Sequence, residues 1–425
     1  MNIFIITLGT RGDVQPYIAL GLGLQKAGHQ VTLCTTVNFR DFVTEHGLRY
    51  GYLNDDALKL IHTDAGRSAL DDDRSMWKTI KTYAELTKLA APMQAALLEE
   101  GWQAAEAAKP DLILFHPKGL GASHYAEKLG IPSICALLIP MLVPTREFSG
   151  FGFPEWKLGG WYNRLTTKFT LAAMSMGFGK YVDAWRKKHG MPRRRSRDFL
   201  HTSDDRPIPV MHGFSPNVVP RPADWPDHVT VTGYWFLDKQ ETWSPPSSLV
   251  DFLNAGDPPI YIGFGSMTNQ KTERVSRVVV GALQKAKVRG ILATGWGGLE
   301  ANDLPDSIYK IDAAPHDWLF PRMAAVVHHG GAGTTAAGLR AGRPTLICPF
   351  FGDQPFWGRR VQTLGAGPAP IPPKKLAVDN LAKALRELVE NEALRRNAEA
   401  IGEKLRQEDS MKNTLAFIEQ SRLTP

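Results

Sequence analysis

A run of small and hydroxyl-bearing residues follows an apolar stretch in the second half of the chain. The run is HHGGAGTT, from His328 to Thr335, and it comes directly after Ala324–Val327. Small residues let the backbone approach a ligand closely, and a helix that starts here offers free N–H groups and its positive dipole end. Thr334 and Thr335 add hydroxyl donors, and His329 can donate to a phosphate oxygen beside them. The run predicts a diphosphate site that needs no metal.

A carboxylate and an amide are neighbours at the end of the next apolar stretch. The sequence PFFGDQP, from Pro349 to Pro355, closes the stretch Thr345–Pro349. Parallel strands end at one edge of a sheet, so we expect Asp353 and Gln354 beside the glycine-rich run. Asp accepts hydrogen bonds and Gln both donates and accepts them, which suits the hydroxyls of a sugar. An Asx turn before a helix, with Pro355 at its first position, is the alternative.

Glycine-rich turns between a strand and a helix also bind dinucleotides, so the run from His328 to Thr335 is weak evidence alone. Its glycine spacing is not G-x-G-x-x-G, and Thr345–Pro349 does not end on an acidic residue that could hold a ribose. An oxidoreductase of the dinucleotide-binding type therefore fits less well. A tightly packed helix start without a ligand is a further alternative. The loop GFGSM, Gly263–Met267, offers Ser266 as a second contact to phosphate.

A carboxylate, Asp13, lies in the loop after the first predicted strand. At the mouth of a cleft it could take the proton of an acceptor hydroxyl that attacks a sugar carbon. A single in-line displacement would then invert the configuration at that carbon, and a nearby carboxylate would also stabilise an oxocarbenium-like transition state. The alternative is that Asp13 caps the helix predicted to begin near Val14. Both roles are compatible, because a cap uses only part of a carboxylate's acceptor capacity.

Two other groups deserve comparison with Asp13. His116 follows the strand predicted at Leu112–Phe115, and it is a second catalytic candidate or an ordinary histidine at a strand end. The run Asp71–Asp73 resembles a set of metal-binding carboxylates, but it lies far along the chain from the nucleotide motifs. A solvated acidic start of a helix explains that run better.

Apolar stretches alternate with helical patterns from the start of the chain. An apolar strand at Asn2–Leu8 is followed by helical spacing at Val14–Ala27 and a second strand at Val31–Thr35. Such βα alternation predicts a parallel sheet covered on both faces. The pattern stops in the proline-rich segment Thr232–Pro259 and restarts with a strand at Ile260–Phe264.

The chain of 425 residues is too long for one ordinary core and fits two domains of roughly 200 residues each. We therefore predict an α/β protein with two Rossmann-like, doubly wound domains facing each other across a cleft. Ligands of such sheets bind outside the carboxyl ends of the strands. We expect one domain at 1–232, a second at 233–407, and a final helix at about 408–425 that packs back on the first.

The bulk composition is that of a globular protein, 43% hydrophobic and 22% charged. Each of the three cysteines lies in an apolar stretch, as expected of buried free thiols in a reducing compartment. The N-terminus is typical of a first strand, and the longest apolar stretch, Pro132–Pro144, is shorter than the ~20 residues of a membrane-spanning helix. We expect a cytoplasmic protein, with no metal because no Cys/His cluster is present.

The net charge of +7 is concentrated in one basic run, Arg186–Arg197, which contains seven Lys and Arg residues and no acid. The run predicts either a solvated surface or a peripheral contact with anionic phospholipid headgroups. Nucleic acid fits less well, because no aromatic residues interleave the arginines as a stacking groove would need. The neighbouring segment Pro140–Leu200 is rich in aromatic and methionine side chains, which can pack in a core or form the wall of a site for a flat apolar ligand.

The order of these motifs resembles the donor-binding half of family 1 glycosyltransferases, which have the two-domain GT-B fold. The motifs are G-S at Gly265–Ser266, A-A-P-H at Ala313–His316, then HHGGAGTT and PFFGDQP. The continuation to Gly365-Ala366-Gly367-Pro368 is similar to sterol glucosyltransferases in particular. The N-terminal GTRGDVQP, from Gly9 to Pro16, resembles the same group and antibiotic glycosyltransferases. The resemblance covers nearly the whole chain.

The resemblance implies a nucleotide-sugar donor in the second domain and an acceptor in the first. It implies that the backbone at Ala314 and His316 frames the uracil, and that Asp353 and Gln354 hold the sugar hydroxyls. The phosphates would be held by His329 and by the N–H groups of Gly331, Ala332, Gly333 and Thr334, with Ser266, Thr335, Arg11 and Gly12 nearby.

Two positions depart from the plant members of this family. Those members carry a glutamate for the ribose where this chain has Ala337, so the choice between UDP and dTDP stays open. They also pair a histidine in the first loop with an aspartate near position 116, whereas here the two residue types are exchanged as Asp13 and His116.

Together these observations predict an inverting, metal-independent glucosyltransferase that uses UDP-glucose and a sterol or similar lipophile, with no other cofactor. A polyketide, glycopeptide or hydroxy-lipid acceptor with a UDP- or dTDP-sugar is the nearest alternative. A dinucleotide-dependent oxidoreductase and a nucleotide-sugar-binding protein without catalysis are the alternatives from other classes.

Overall fold

The computed structural model describes residues 1–56, 76–119, 121–154, 156–238, 243–264, 271–293 and 304–423. Within these residues the chain forms two parallel β-sheets with helices between the strands. The prediction of an α/β protein with two doubly wound units is therefore confirmed. The acidic run Asp71–Asp73 and Ser266 lie outside the described residues.

The first sheet has the strand order β3-β2-β1-β4-β5-β6-β7. Its strands are β1 Asn2–Ile6, β2 Gln30–Thr36, β3 Arg49–Leu53, β4 Leu112–Phe115, β5 Ser133–Leu137, β6 Val210–His212 and β7 Val229–Val231. The helices of this half are α1 Arg11–Lys26, α2 Arg40–Thr44, α3 Met76–Ala108, α4 Ala122–Leu129 and α5 Gly160–Lys188.

The second sheet has the strand order β10-β9-β8-β11-β12. Its strands are β8 Ile260–Gly263, β9 Gly290–Ala293, β10 Ile308–Ile311, β11 Ala325–His328 and β12 Thr345–Ile347. The helices of this half are α6 Ser247–Asn254, α7 Lys271–Ala286, α8 His316–Leu319, α9 Ala332–Arg340, α10 Gln354–Thr363, α11 Val378–Glu390, α12 Glu392–Gln407 and α13 Ser410–Leu423.

The central strands are apolar because helices cover both faces of each sheet. Every residue of β4, β8 and β11 is buried. The register of β1 and β4 places Ile6 opposite Phe115, so the loops that follow these two strands leave the sheet side by side. His116 continues the ladder, since its backbone N–H donates to the carbonyl of Ile6 at 2.9 Å. This register brings the loops of Asp13 and His116 together.

The last helix, α13, packs on the first half of the chain. The indole N–H of Trp235 donates to the Thr414 hydroxyl at 3.0 Å, and the Asn413 amide donates to the Thr232 carbonyl at 3.3 Å. The Met411 side chain packs directly on Gly23 of α1, and a β-carbon on Gly23 would clash with the methyl carbon of Met411. The chain therefore returns to its first sheet after completing the second.

Two local features differ from or add to the sequence predictions. Helix α1 begins at Arg11, ahead of the predicted Val14, so Asp13 lies inside its first turn. Cys34, Cys135 and Cys348 are buried and free.

Within the described residues, no helix is long and apolar enough to cross a membrane, and no group of three or more His, Cys, Asp or Glu side chains could hold a metal ion.

Candidate active site

A cleft of about 2680 Å³ lies between the two sheets, at the carboxyl ends of their strands. The first half of the chain lines it with the loops after β1 and β4, and the second half with the loops after β10, β11 and β12. Rings from both halves meet beside this cleft: Phe148 and Phe151 contact Phe356 edge-on, with centroids 5.6 and 5.4 Å apart. The motifs found in the sequence thus converge on one space.

Asp13 occupies the third position of α1, with its carboxylate turned back to the start of the helix. Its Oδ2 accepts a hydrogen bond from the Thr10 backbone N–H at 2.7 Å, which satisfies one of the free donors at this helix end. Its own carbonyl accepts from the Thr7 hydroxyl at 2.7 Å. The capping role proposed from the sequence therefore uses Oδ2 and leaves Oδ1 facing the cleft.

His116 is buried beside Asp13, and its hydrogen bonds define its tautomer. The backbone N–H of Lys118 donates to the His116 Nδ1 at 3.2 Å, so a neutral ring carries its proton on Nε2. Burial lowers the pKa of His116 to about 4, against the raising effect of the Asp13 charge, and the ring is neutral near pH 7. The Nε2 lies 3.8 Å from Asp13 Oδ1, beyond hydrogen-bond length. In this tautomer His116 can donate a hydrogen bond from Nε2 but cannot accept a proton there.

Lys118 is a site residue that the sequence reasoning missed. Its ammonium group lies 3.0 Å from Asp13 Oδ1, and about half of its side chain is exposed in the cleft. It comes two residues after His116 in the loop that the strand register brings next to Asp13. The sequence did contain a signal for it, because a lysine two residues after His116 lies in a loop that was already expected to face the cleft.

The glycine-rich run forms the turn between β11 and α9, as its composition predicts. Gly330 has φ +95°, and a β-carbon there would lie 2.6 Å from an Ile347 methyl carbon and 3.1 Å from the Gln354 carbonyl oxygen, so a side chain would clash. The backbone N–H of Gly330 donates to His328 Nδ1 at 2.9 Å, which fixes the turn. The N–H groups of Gly331 to Thr334 stand at the helix start, where no carbonyl precedes them within the helix.

The prediction for Thr335 is corrected by the structure. Its hydroxyl donates to the Gly331 carbonyl at 3.0 Å, its backbone N–H donates to the same carbonyl at 2.9 Å, and the side chain is fully buried. Thr335 therefore holds the turn and does not face the cleft. Gly331, Ala332, Gly333 and Thr334 all line it.

His329 also lines the cleft, with its ring over the start of α9. A β-carbon on Gly331 would lie 2.7 Å from the His329 Nε2, which shows how closely the ring approaches the turn. Burial lowers the pKa of His329, and the Gly263 carbonyl partly counters this. The ring can therefore serve as a neutral hydrogen-bond donor near the helix start.

Asp353 is the N-cap of α10 and Gln354 its first residue, so Pro355 takes the second helical position rather than the first. Asp353 Oδ2 accepts from the indole N–H of Trp357 at 2.7 Å. Burial raises the pKa of Asp353, while this hydrogen bond lowers it. The side-chain oxygen of Gln354, Oε1, accepts hydrogen bonds from the backbone N–H groups of Phe350 and Phe351 at 2.7 and 3.2 Å. Asp353 and Gln354 both line the cleft.

The wall predicted for the nucleobase is made by the loop after β10. Ala314 and His316 both line the cleft. The His316 ring stacks on Phe320 at 4.2 Å, and burial lowers its pKa to about 4. That ring is therefore packed inward, and the sequence prediction for His316 concerned its backbone. Arg11 lines the same cleft from the other half of the chain.

The place of the missing ribose glutamate is taken by a small residue beside an ion pair. Ala337 lines the cleft on α9, one turn before Arg340. Arg340 contacts Asp238 through both guanidinium nitrogens, at 2.5 and 2.8 Å, and lies 4.3 Å from the centroid of the Phe236 ring. Arg11 and Gly12 line the opposite side of the cleft.

The aromatic segment Pro140–Leu200 divides between three locations. Met141, Phe151 and Met174 line the cleft. Trp185 is core, with Trp102 and Tyr125 around it. A third set, which includes Trp161 and Phe169, points to the protein surface and not into the cleft.

The expectation of a uniformly solvated or lipid-facing basic run at Arg186–Arg197 is wrong for two of its residues. Arg186 is fully buried, and its guanidinium contacts both carboxylate oxygens of Glu127 at 2.5 and 2.9 Å. Arg194 is mostly buried and contacts Asp183 at 2.8 Å. The sequence of the run contains no acid, but the fold supplies acids from α4 and α5. Lys187, Lys188, Arg193, Arg195 and Arg197 remain exposed.

Two family models match the two halves of the chain. The N-terminal domain model of glycosyltransferase family 28 matches residues 3–144, and the C-terminal domain model of erythromycin biosynthesis protein CIII-like proteins matches residues 292–414. The chain is 38% identical over 422 residues to a sterol 3-beta-glucosyltransferase of Arabidopsis thaliana and 37% identical over 426 residues to one of Saccharomyces cerevisiae. Each alignment covers 97% of this chain, which spans 64% of the plant relative and 34% of the yeast relative.

Solved structures of antibiotic glycosyltransferases have the same fold. The glycosyltransferase of kitacinnamycin aligns with a TM-score of 0.72 at 20% sequence identity, over 99% of this chain and 98% of that chain. SnogD from Streptomyces nogalater aligns with a TM-score of 0.64 at 18% identity, over 99% and 98%. The two facing parallel sheets are thus the GT-B arrangement.

Proposed function

We propose that the chain belongs to the glycosyltransferases of GT-B fold related to sterol 3-beta-glucosyltransferases, and that it transfers glucose from UDP-glucose to a sterol or similar lipophilic hydroxyl. One observation carries the proposal: Asp13 and the pair His329 and Asp353 line a single cleft from opposite halves of the chain. A base on one wall and a cradle for a sugar diphosphate on the other are what direct transfer needs.

On the acceptor side, Asp13 is the general base. Its Oδ1 takes the proton of the acceptor hydroxyl as the hydroxyl oxygen bonds to the anomeric carbon of glucose. Asp13 is oriented for this by the Thr10 N–H on Oδ2 and by Lys118 beside Oδ1. His116 is neutral and presents Nε2–H on the same side, so it can hold the acceptor oxygen in place but does not compete for the proton.

On the donor side, the bond between the anomeric carbon and the diphosphate oxygen breaks, and the diphosphate leaves with the electron pair. The N–H groups of Gly331 to Thr334 and the His329 ring are placed to stabilise that charge as it develops. Attack from the face opposite the leaving group inverts the anomeric configuration. These donors are the chain's own, so we propose transfer without a metal ion.

The sugar and the nucleobase are each assigned to one loop. Asp353 and the side-chain amide of Gln354 face the sugar hydroxyls, and the backbone at Ala314 and His316 frames uracil. Ala337 offers no carboxylate to the ribose, so a dTDP-sugar is the alternative donor. The alternative acceptors are a polyketide, a glycopeptide or a hydroxy-lipid. We further propose that the protein works in the cytoplasm and meets the membrane as a peripheral protein.

A donor and acceptor panel tests the reaction. Purified protein is incubated with UDP- and dTDP-sugars against sterols and other hydroxylated lipophiles, and the products are identified by mass spectrometry. We expect glucosylated sterol with inverted configuration from UDP-glucose. Turnover linked to NAD(P)H, or donor binding with no product from any acceptor, would replace this proposal.

The variant Asp13→Asn tests the assignment of the base. We expect transfer to fall at least about a hundredfold, the lower range for general-base catalysis. Affinity for UDP should be nearly unchanged, because Asp13 lies on the acceptor side. Asparagine keeps an oxygen for the Thr10 N–H, so the cap is largely retained. Wild-type turnover in this variant would reduce Asp13 to a helix cap.

A further inference from the structure

An unusual set of large apolar side chains lies on the surface around α5. We call this set the α5 ridge, and each of its residues is between 48 and 73% exposed. Its members are Trp156, Leu158, Trp161, Leu165, Phe169 and Met176. Trp161, Leu165 and Phe169 are four residues apart, so they form one stripe along the first half of the helix. Isolated exposed apolar residues are ordinary, but a continuous stripe of this size marks a binding surface.

Exposed cations flank the ridge. Lys157, Arg164, Lys168 and Lys180 are exposed beside it. No Asp or Glu occurs between Trp156 and Val182. A helix face of tryptophan, leucine and phenylalanine flanked by cations is the pattern of a helix that lies in the interface of an anionic bilayer. There the apolar side chains reach the acyl region and the cations meet the headgroups.

The ridge adjoins the acceptor side of the cleft. Met174 of the same helix lines the cleft, while Met176, two residues later, is exposed on the ridge. Phe169 contacts Phe153 edge-on at 5.9 Å, and Phe153 belongs to the loop whose Phe151 lines the cleft. The ridge and the wall of the cleft therefore share α5 and the loop that carries Phe151 and Phe153.

We propose that the α5 ridge docks the protein on the surface of an anionic phospholipid bilayer, and that this surface is the principal membrane contact. The inference rests on the proposed function in one respect, since docking serves an acceptor dissolved in the membrane. A second copy of the chain is a poorer occupant, because a symmetric contact would oppose four cations to the same four with no acid in the segment. The exposed part of the basic run is the competing membrane contact.

The test compares three sets of variants in sedimentation with vesicles of phosphatidylcholine and phosphatidylserine. The ridge variant carries Trp161→Gln, Leu165→Gln and Phe169→Gln. The charge variant carries Arg164→Gln and Lys168→Gln. The basic-run variant carries Arg193→Gln, Arg195→Gln and Arg197→Gln. A matched control, Tyr52→Gln with Val389→Gln, changes exposed apolar side chains away from α5.

We expect the ridge variant to bind vesicles about tenfold more weakly or worse, and the charge variant to lose about fivefold per cation at low salt. Wild-type binding should weaken as salt is raised, because exposed charges are screened. The basic-run variant and the matched control should bind nearly as wild type. Glucosylation of vesicle-embedded sterol should fall with binding in the ridge variant, while turnover of a detergent-dispersed acceptor and the thermal unfolding midpoint stay close to wild type.

Three outcomes would overturn the proposal. Unchanged vesicle binding by the ridge variant would remove the ridge as a contact. Loss of binding in the basic-run variant alone would assign the contact to that run. A lipid-free dimer that the ridge variant dissociates would make the ridge a self-association surface. Vesicle binding is measured without turnover, so wild-type protein that binds through the ridge but glucosylates no sterol would refute the proposed function and leave the docking surface standing.

Discussion

Removal of one hydrogen bond at the proposed sugar site should change how the enzyme responds to pH. Asp353 is a partly buried carboxylate whose pKa is raised by burial and lowered by the indole N–H of Trp357, 2.7 Å from its Oδ2. The variant Trp357→Phe keeps an aromatic ring in the same buried position and removes the N–H. The ionised form of Asp353 then loses a stabilising partner, so its pKa rises further.

The size of the effect follows from the chemistry of the bond. A hydrogen bond to a charged group contributes about 1.5–3 kcal/mol, and about 1.4 kcal/mol corresponds to one pKa unit. The pKa of Asp353 should therefore rise by about one to two units. Loss of the carboxylate as pH falls should then begin at higher pH than in the wild type. The measurement is kcat/KM for UDP-glucose across pH, with the affinity for free UDP as the reference.

We expect the acid limb of the kcat/KM profile to move to higher pH by about one to two units, with little change on the alkaline side. UDP affinity should keep its wild-type pH dependence, since Asp353 is assigned to the sugar. Trp225→Phe is the matched control, because Trp225 is buried and its indole nitrogen has no hydrogen-bond partner among the described residues. An unmoved acid limb, or an equal shift in the control, would refute the assignment of Asp353.

The other predictions concern the donor wall. His329→Ala should weaken UDP binding about tenfold or more, as expected for a lost hydrogen bond to a charged phosphate. An equal loss of affinity at pH 7 and pH 8 would agree with a neutral donor. Wild-type protein that keeps full activity in EDTA would agree with a metal-free site. Gln354→Glu keeps oxygen acceptors for the loop N–H groups and removes the amide donor, so it should impair use of UDP-glucose more than binding of UDP. Gln354→Ala also removes the acceptor for those N–H groups, so it should lower the thermal unfolding midpoint as well. Ala337→Glu should raise UDP affinity relative to dTDP, since a carboxylate on this wall could accept from the ribose 2′-hydroxyl that dTDP lacks; an unchanged ratio would mean that position 337 does not face the ribose.

The fold and the donor wall could be predicted because their determinants are local in the sequence. Alternation of apolar stretches and helical patterns fixes parallel sheets, and ligand loops then follow at the carboxyl ends of the strands. Gly330 shows why the turn is readable: its positive φ and the crowding by Ile347 exclude any side chain, so glycine at that point encodes the geometry. His329 and Asp353 follow because they flank turns of this kind.

The direction in which a side chain points from its helix was harder to predict from the sequence. Thr335 is one residue past Thr334, and one helical step turns the side chain by about 100°. That step takes its hydroxyl from the cleft to the Gly331 carbonyl. The same kind of turn takes Arg186 into the core, where Glu127 lies 59 residues earlier in the sequence. Charge counted along the sequence could not show this pairing, because the acid comes from another helix.

The charges of the active site depend on both halves of the chain. Asp13 raises the pKa of Asp353 and Lys118 lowers it, so the two carboxylates and the ammonium group share one electrostatic environment across the cleft. Two facing carboxylates would otherwise repel each other in a partly buried space and oppose the approach of a sugar diphosphate. Lys118 lies 3.0 Å from Asp13 Oδ1 and offsets that charge from the first half, although the motifs proposed to bind the donor belong to the second. A sequence reading that gives the donor to one domain and the acceptor to the other therefore leaves out the residue that makes the two sites electrostatically compatible.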